Sequence, residues 1–401
     1  MKRYFLYIIL GGLLASSLTA CQQDIPSVEQ SDEISSRIYL SAGIGNSEST
    51  RAPYYPTNGS GTALTAPTLE HPLDVTVWAS TTSGVYPNSE LNGSTGTVAI
   101  HTDAHFQSGD PQLLGEAIYP KAQTEGGTSK TVYFVGLHPL ANPTNSGSST
   151  NDNSWRAPND NNDAAQFKFT GNEDVMFAPQ IYGTYNTAFN DSPQFHFYHL
   201  LTWLRISMVA DKDETDVKKR ENVSNAWGKI TELTLKNQKN IITINNLGEA
   251  TSDNYTSHVT FTSESSNVPF SLYYAGTDEV FPGENEYAIP TSMTEVTYVM
   301  CAPVEGITKD ALDNPVPEYT LHIKTQHREM DIPLDLKGDE GNLFTGSTMG
   351  RVFNIVLNFK MGDVISVSTV ISVGGDADWF THGTGTGDLT EGDLELNAGN
   401  N

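Results

Sequence analysis

Apolar and polar residues alternate with a period of two over most of the chain, the spacing that turns one face of a strand to a core and the other to solvent. The clearest early stretches are RIYLSAGI (37–44), LDVTVWAS (73–80), GTVAIHT (96–102), TVYFVGLH (131–138), QFKFT (166–170) and FHFYHLLTWLRISMV (195–209). A second group follows: KITELTLKN (229–237), NIITINN (240–246), HVTFTS (258–263), FSLYYA (270–275), EVTYVMCA (295–302), YTLHIKT (319–325), EMDIPLDL (329–336), RVFNIVLNFK (351–360) and DVISVSTVISV (363–373). Each is rich in β-branched and aromatic residues, and Gly, Pro, Asn or Asp punctuates the gaps. A helical period is hard to find. The best candidate, DKDETDVKKRENVSNAWGKI (211–230), is highly charged in its first half and carries little apolar stripe, so it reads as a charged connection with one or two helical turns.

Many short strands without intervening helices predict an all-β chain, and the charged stretch at 211–222 parts them into two sets of about seven, hence two β-sandwiches in tandem. The expected boundaries are 52–212 for the first sandwich and 213–380 for the second, with a polar tail over 381–401. The segment NPTNSGSSTNDNSWRAPNDNNDAA (142–165) is too poor in apolar residues to order itself alone and reads as a long polar loop. In the tail, DLELN is the one place for a further short strand. Within 37–44, Ile38, Leu40, Ala42 and Ile44 share a face. Within 363–373, Ile365, Val367, Thr369, Ile371 and Val373 share the better apolar face, opposite Val364, Ser366, Ser368 and Val370.

The N-terminus breaks this pattern. MKRYFLYIILGGLLASSLTAC has a basic start at Lys2 and Arg3, an apolar run too short to span a bilayer comfortably, and small residues before Cys21. This is a secretory signal over residues 1–20, and Leu-Thr-Ala-Cys resembles a bacterial lipobox, in which the cysteine becomes the acylated first residue of the mature chain. Each buried methylene contributes ~0.8 kcal/mol, so several acyl chains hold a protein on a membrane without a transmembrane helix. An outer-membrane lipoprotein is the expectation. With Cys21 acylated, Cys301 has no cysteine left to pair with and reads as a small buried hydrophobe. Stability must then come from packing, and 401 residues suffice for roughly two domains. The formal charge of −26 lacks the basic patches that nucleic acid or anionic membranes demand, and suits a solvated surface.

Signatures of catalysis do not emerge. The chain lacks a phosphate-binding loop, a Gly-x-Ser-x-Gly elbow and a His-Glu-x-x-His pair. GSTMG (346–350) has Thr348 where the elbow serine would stand. His101 and His105 share a strand face but lie about 13 Å apart, too far for one metal. His196 and His199 fall on opposite faces of a regular strand. The acidic run NDNSWRAPNDNNDAA lacks calcium-loop spacing. The expectation is therefore a non-enzyme with no cofactor and no metal.

Several elements, taken in order, resemble the fimbrillin family, the lipoprotein pilin precursors of type V fimbriae. TVYFVGLHP resembles the family's strand ending in a proline turn, DVMFAP (174–179) its Asp-Leu-Met-x-Ala element, and FHFYHLLTWLRI its Phe-x-Phe-x-His strand with His199 as the marker. ISVSTVISVGGDADW resembles its closing strand, ending in Asp378-Trp379, although it carries extra glycines and the chain runs on to Asn401. The resemblance implies sandwiches of transthyretin-like topology and a lipid-anchored precursor cut by an arginine-specific protease in the loop after the first strand. It also implies a groove left by the released segment and filled by a C-terminal strand of another subunit. On that pattern Arg51 is the cleavage site and Ala52 the new N-terminus. Residues 21–51 form the lipidated propeptide, and Ile38, Leu40, Ala42 and Ile44 belong to the displaced strand. Residues 363–379 are the donor region, its better face formed by Ile365, Val367, Thr369, Ile371 and Val373, with DLTEGDLELN (388–397) as a second possibility.

The implied partners are other pilin subunits in a homopolymer or mixed fibre, the protease, and the outer membrane before processing, with the mature form extracellular. Arg37 and Arg156 are less apt cut sites: the first begins the strand itself, and the second sits in the polar loop. The competing reading is a non-polymerising surface lipoprotein that binds a glycan or a host protein through exposed aromatics such as Trp155, Tyr54 and Tyr55, or Tyr273 and Tyr274.

Overall fold

The computed structural model describes residues 37–44, 73–84, 99–106, 112–118, 131–139, 164–184, 193–265, 268–277, 279–304, 319–336, 347–362, 364–371 and 394–397. Numbered along the chain, the first strands are β1 (Arg37–Ile44), β2 (Leu73–Ser80), β3 (Ala99–Phe106), β4 (Gln112–Ile118), β5 (Thr131–His138), β6 (Ala165–Lys168), β7 (Met176–Thr184), β8 (Gln194–His199), β9 (Thr202–Ala210) and β10 (Ile230–Leu235). They are followed by β11 (Ile241–Ile244), β12 (Val259–Thr262), β13 (Phe270–Tyr274), β14 (Val280–Phe281), β15 (Thr294–Cys301), β16 (Tyr319–Thr325), β17 (Glu329–Leu334), β18 (Val352–Lys360), β19 (Val364–Ile371) and β20 (Leu394–Asn397). The all-β expectation holds. Helices are confined, among the described residues, to Val217–Trp227 and the single turn Tyr255–His258, neither long and apolar enough to cross a membrane.

Seven strands form one sheet in the order β3-β2-β5-β7-β8-β1-β4. Its inner face gathers Leu40, Ala42, Leu73, Val75, Val77, Ala79, Phe106, Val132, Phe134, Met176, Ala178, Phe195 and Phe197 into one buried cluster. A single sheet buries such a face by curling on itself. The ring of Phe106 on β3 meets that of Phe195 on β8 edge-on at 6.4 Å, although these strands are four places apart in the sheet, and β3 also lies close to β4. The opposite face, through Trp78, Val135, Leu137 and Phe177, belongs to a second and larger core.

That larger core is built on the order β17-β16-β10-β13-β15-β9-β18-β19-β20, with β14 paired to β13, and on a three-stranded sheet β12-β11-β6. Two strands that the sequence places in the first sandwich are part of it. β9 runs between β15 (antiparallel) and β18 (parallel), and β6 pairs with β11 from Ile241–Lys168 to Ile244–Ala165. The division between sheets therefore falls elsewhere than residue 212, and the two halves interlock. The predicted strand 195–209 is two strands, broken at Leu200–Leu201. Both leucines are buried, so the hydrophobicity pattern runs through the break without marking it. At the break Leu200 N donates to Val175 O (2.9 Å), Gly350 N to Leu201 O (2.9 Å) and Trp203 N to Arg351 O (2.9 Å), so the chain changes sheets with these amides satisfied.

The charged connection forms a fuller helix than its sequence predicts. Asp216 caps it, accepting from Lys218 N at 2.9 Å. Trp227 at its other end supplies what the charged half lacks: its ring packs edge-on against Phe359 at 5.3 Å and its Nε1 donates to Lys360 O at 2.9 Å. β7 escaped prediction because Pro179 sits inside it. Phe134 pairs with Ile181 and Gly136 with Ala178, so β7 carries an extra residue at Pro179–Gln180, a bulge where a missing N–H is tolerated. β4 escaped because Leu113, Leu114, Ala117 and Ile118 do not alternate.

One contact ties the turn after β2 to the loop after β11. A Cβ on Gly248 would stand 2.6 Å from Gly84 Cα and 2.7 Å from Gly84 N, so the two backbones touch where neither can give way. Gln180 closes the contact, accepting from Gly84 N (3.0 Å) and donating to Ser83 Oγ (2.9 Å) and Gly248 O (3.4 Å). Gly248→Ala should cost about 1–3 kcal/mol, the usual range for forced overpacking. Chemical denaturation of the wild type and variant measures it, and hydrogen exchange at the Gly84 amide should quicken in the variant.

Candidate strand-exchange groove

β1 is an interior strand held by two neighbours in succession. Its second half runs parallel to β8, with Ser41 opposite Gln194, Ala42 opposite Phe195, Gly43 opposite His196 and Ile44 opposite Phe197. Its first half runs antiparallel to β4, with Arg37 opposite Ile118, Tyr39 opposite Leu113 and Leu40 opposite Gln112, and an irregularity between Arg37 and Tyr39. Ser41 N also donates to Pro193 O at 3.1 Å. In the sheet order β4 is bonded to β1 alone, so β1 links β4 to the rest. Withdrawal of β1 leaves two strand edges facing a gap.

The gap would be apolar. Leu40 and Ala42 are completely buried and Ser41 nearly so, so β1 is covered on its two faces at these positions. Beneath them lie Phe195 and Phe197, also fully buried, their rings 5.6 Å apart. Phe197 reaches across the sheet over Gly136, where a Cβ would stand 2.6 Å from its ring. That glycine makes the room the ring needs. Position 42 opposes Phe195 and is itself fully buried.

Of the predicted strand residues, Leu40 and Ala42 sit on the core face as the alternation requires; the side chains of Ile38 and Ile44 lie outside the described residues, as do Cys21, Arg51 and Ala52. The predicted donor face is an ordinary core face here. β19 pairs with β18 over eight positions, from Phe353–Ile371 to Lys360–Val364, and Ile365 and Val367 are in the larger core, with Thr369 buried. The side chain of Ile371 and all of Val373 lie outside the described residues. β20, in the stretch weighed as a second possibility, pairs with β19 over four positions at the sheet edge, from Val364–Asn397 to Val367–Leu394. Sequence reasoning missed the β4 side of the groove entirely. It had the signal for the floor in the Phe-x-Phe of β8 but did not join it to β1.

Further along β8, beyond its pairing with β1, polar groups are buried. His199 Nδ1 and Asp174 Oδ1 are 2.7 Å apart with both side chains buried, and His138 Nδ1 lies 2.6 Å from Asp74 O. Met176 pairs with His138 on one side and His199 on the other, which sets the two histidines in one row across β5, β7 and β8. Burial pushes the His138 imidazole below its ordinary value of 6.5; the charge of Asp174 and the Asp74 carbonyl act against that push, and His199 adds to it. His196 is exposed and His199 buried, as their spacing predicts. No group of three or more His, Cys, Asp or Glu among the described residues could hold a metal.

The aromatic residues weighed for ligand stacking are packed where they are described. Tyr273 is buried against Tyr298 at 5.9 Å, and Tyr274 is half-buried against Phe281 at 5.0 Å. Tyr54, Tyr55 and Trp155 lie outside the described residues.

No protein-family model matches the chain, and no curated protein matches it. Among solved structures it is similar to a candidate cell adhesion protein from Bacteroides uniformis, at 13% identity and a TM-score of 0.42 over 84% of this chain and 98% of that one. It is also similar to a candidate adhesin from Bacteroides thetaiotaomicron, at 12% identity and a TM-score of 0.35 over 84% of this chain and 97% of that one. A third is a fimbrial assembly protein from Parabacteroides distasonis, at 10% identity and a TM-score of 0.32 over 84% of this chain and 99% of that one. Likeness this loose bears no weight for the function of the chain.

Leu40→Ala should destabilise the curled sheet by about 2–5 kcal/mol, the range for a buried leucine that leaves a cavity. Urea denaturation measures it, with hydrogen exchange in β8 rising more than in β15. Acid should weaken the same sheet. A histidine held neutral by burial stabilises the fold fully above its unfolded value, and that contribution is lost as pH falls below 6.5 toward the lower folded value. The melting temperature should therefore drop between pH 7.5 and 5.5, and His138→Gln should flatten that slope.

Proposed function

We propose that the chain is a structural subunit of a cell-surface fibre that supports adhesion. In this reading it is exported as a lipoprotein precursor acylated at Cys21 and cut after Arg51 by an arginine-specific protease. It then polymerises by exchanging β1 for a strand of a neighbouring subunit. One observation carries the reading: the first described strand is interior to its sheet, supplies Leu40 and Ala42 to the core, and connects onward only through residues 45–72, which contain Arg51. A strand that completes a core while hanging on one cuttable connection is a strand that another chain can replace.

The physical logic is that of an edge kept covered until the moment of use. Unpaired backbone beside an open apolar core aggregates, so the precursor fills its own groove. A replacement strand recovers the main-chain hydrogen bonds and seats alternate side chains in the vacated positions. A head-to-tail contact of this kind does not close on itself, so it propagates as a filament. The donor comes from the C-terminal region. Since β19 is committed to its own core, the donor begins beyond it, in the tail that includes β20.

The test is the N-terminus of the assembled form. Fibres sheared from expressing cells should begin at Ala52 and run as an SDS-resistant ladder when unboiled, and Arg51→Ala should abolish the two together. A chain cut after Arg51 that stays monomeric would overturn the reading in favour of a non-polymerising surface lipoprotein that binds a glycan or host protein.

A further inference from the structure

Among the described residues Tyr182 is the most exposed large apolar side chain, at 68%, and the one aromatic ring in that exposed group. It has a neighbour. Tyr182 pairs directly with Tyr133 across β7 and β5, and the two rings lie 6.2 Å apart at an angle of 53°, splayed rather than stacked. Ser80 of β2 stands opposite Tyr133 on its other side, which completes a row of Ser80, Tyr133 and Tyr182 over three strands. Val132 and Phe134 belong to the core of the curled sheet, so Tyr133 between them faces away from the groove, on the side of Val135 and Leu137. Those two are buried in the larger core, and the tyrosine pair lies where that cover ends.

The surroundings narrow the ligand. The framing segments are Ser80-Thr81-Thr82-Ser83-Gly84, Thr131-Val132-Tyr133-Phe134 and Gln180-Ile181-Tyr182-Gly183-Thr184. They carry hydroxyls, an amide and aromatic rings but no Asp, Glu, Lys, Arg or His, in a chain with 48 acidic and 22 basic residues. A charged ligand would find no countercharge on these segments, and the net charge of −26 repels a polyanion. A protein partner needs about 800 Å² on its side of a stable interface, and two tyrosines offer a few hundred at most. The CH face of a pyranose ring fits such a pair: it is flat, apolar and small, with hydroxyls at its rim. We propose that Tyr182 and Tyr133 form a binding platform for a neutral saccharide, one sugar ring stacking on Tyr182 with Tyr133 at its flank. Ser83 supplies a hydroxyl to its rim, held by Gln180 two residues before Tyr182. The platform is pre-formed, since Gln180 also binds Gly84 N and Gly248 O and so fixes β7 at the bulge just before Tyr182. It faces away from the groove and is complete in a single copy, so it does not depend on strand exchange.

Native gels cast with soluble polysaccharide test this. Purified full-length protein is run in gels containing mannan, galactomannan, dextran or β-glucan, and in gels containing polygalacturonate as the acidic counterpart. Retardation by at least one neutral polymer is expected, with none by polygalacturonate. Tyr182→Ala should weaken the retardation at least fivefold and Tyr182→Trp should retain it, each with an unchanged melting temperature because the side chain is exposed. Met361→Ala removes another exposed apolar side chain, distant in sequence from the pair, and should bind as the wild type does. Absence of retardation in all four neutral gels overturns the inference, as does retardation that Tyr182→Ala leaves intact or that polygalacturonate matches. Sedimentation of the same samples covers the remaining occupant: a dimer that Tyr182→Ala abolishes would give the patch to a second copy and overturn the saccharide.

Discussion

The closure of the curled sheet by β1 is the interaction on which the first half of the molecule depends. One face of seven strands has no partner sheet and must bury itself against itself, and that works only if the curl is complete. β1 is the strand that completes it, through backbone bonds to β8 over one half and to β4 over the other. The core is aromatic, with the Phe195 ring meeting those of Phe106 and Phe197, and Leu40 and Ala42 are buried in the same cluster. The sheet thus has one interior strand that joins β4 to the rest and supplies two residues to the core.

The two halves of the chain do not fold as beads on a string. β6 and β9 precede residue 212 but belong to the larger core, and the turn at Gly84 touches the loop at Gly248 backbone to backbone. The link between β8 and β9 is held by backbone hydrogen bonds to two other segments, at Val175 and at Gly350–Arg351. Because β8 lines the groove and β9 stands between β15 and β18, the groove is attached to the middle of the larger sheet rather than to its rim. A subunit that must transmit pull from one neighbour to the next benefits from such an interlock, since local opening at one end does not separate it from the other.

Strand existence was legible in the sequence and strand partnership was not. Alternation marked β10 and β16, each with one dry face and one wetter one, and it also found β1, β2 and β5, where residues on the two faces are buried. It ran straight through the break at Leu200–Leu201, where successive residues are buried whichever sheet they join, and it missed β4 and β7, where clustered leucines and a bulge at Pro179 spoil the period. The helix at 217–227 was underread because its burial rests on Val223 and Trp227 alone. For the groove, the inward face of β1 could be read from residues 38 to 44, but nothing local to those residues says that β8 and β4 are the neighbours.

The remaining edges explain why exchange would centre on the groove. β17 ends the larger sheet with Pro333, which has no N–H to offer a further strand. On the same strand Glu329 lies 3.5 Å from Lys324, and Asp331 lies 2.7 Å from Lys236 and 2.8 Å from His322, so the charges that deter pairing are themselves held in place. At the other end of that sheet β20 covers β19, and in the smaller sheet the exposed Gln166, Thr260 and Thr262 keep the outward faces of β6 and β12 polar. Pairing at such edges recovers hydrogen bonds but buries little apolar surface. The site beneath β1 offers the two together, with edges on either side and a floor of phenylalanine between them. An incoming strand gains most where the fold loses most by its absence, and the position of β1 joins two paired edges to a buried aromatic cluster.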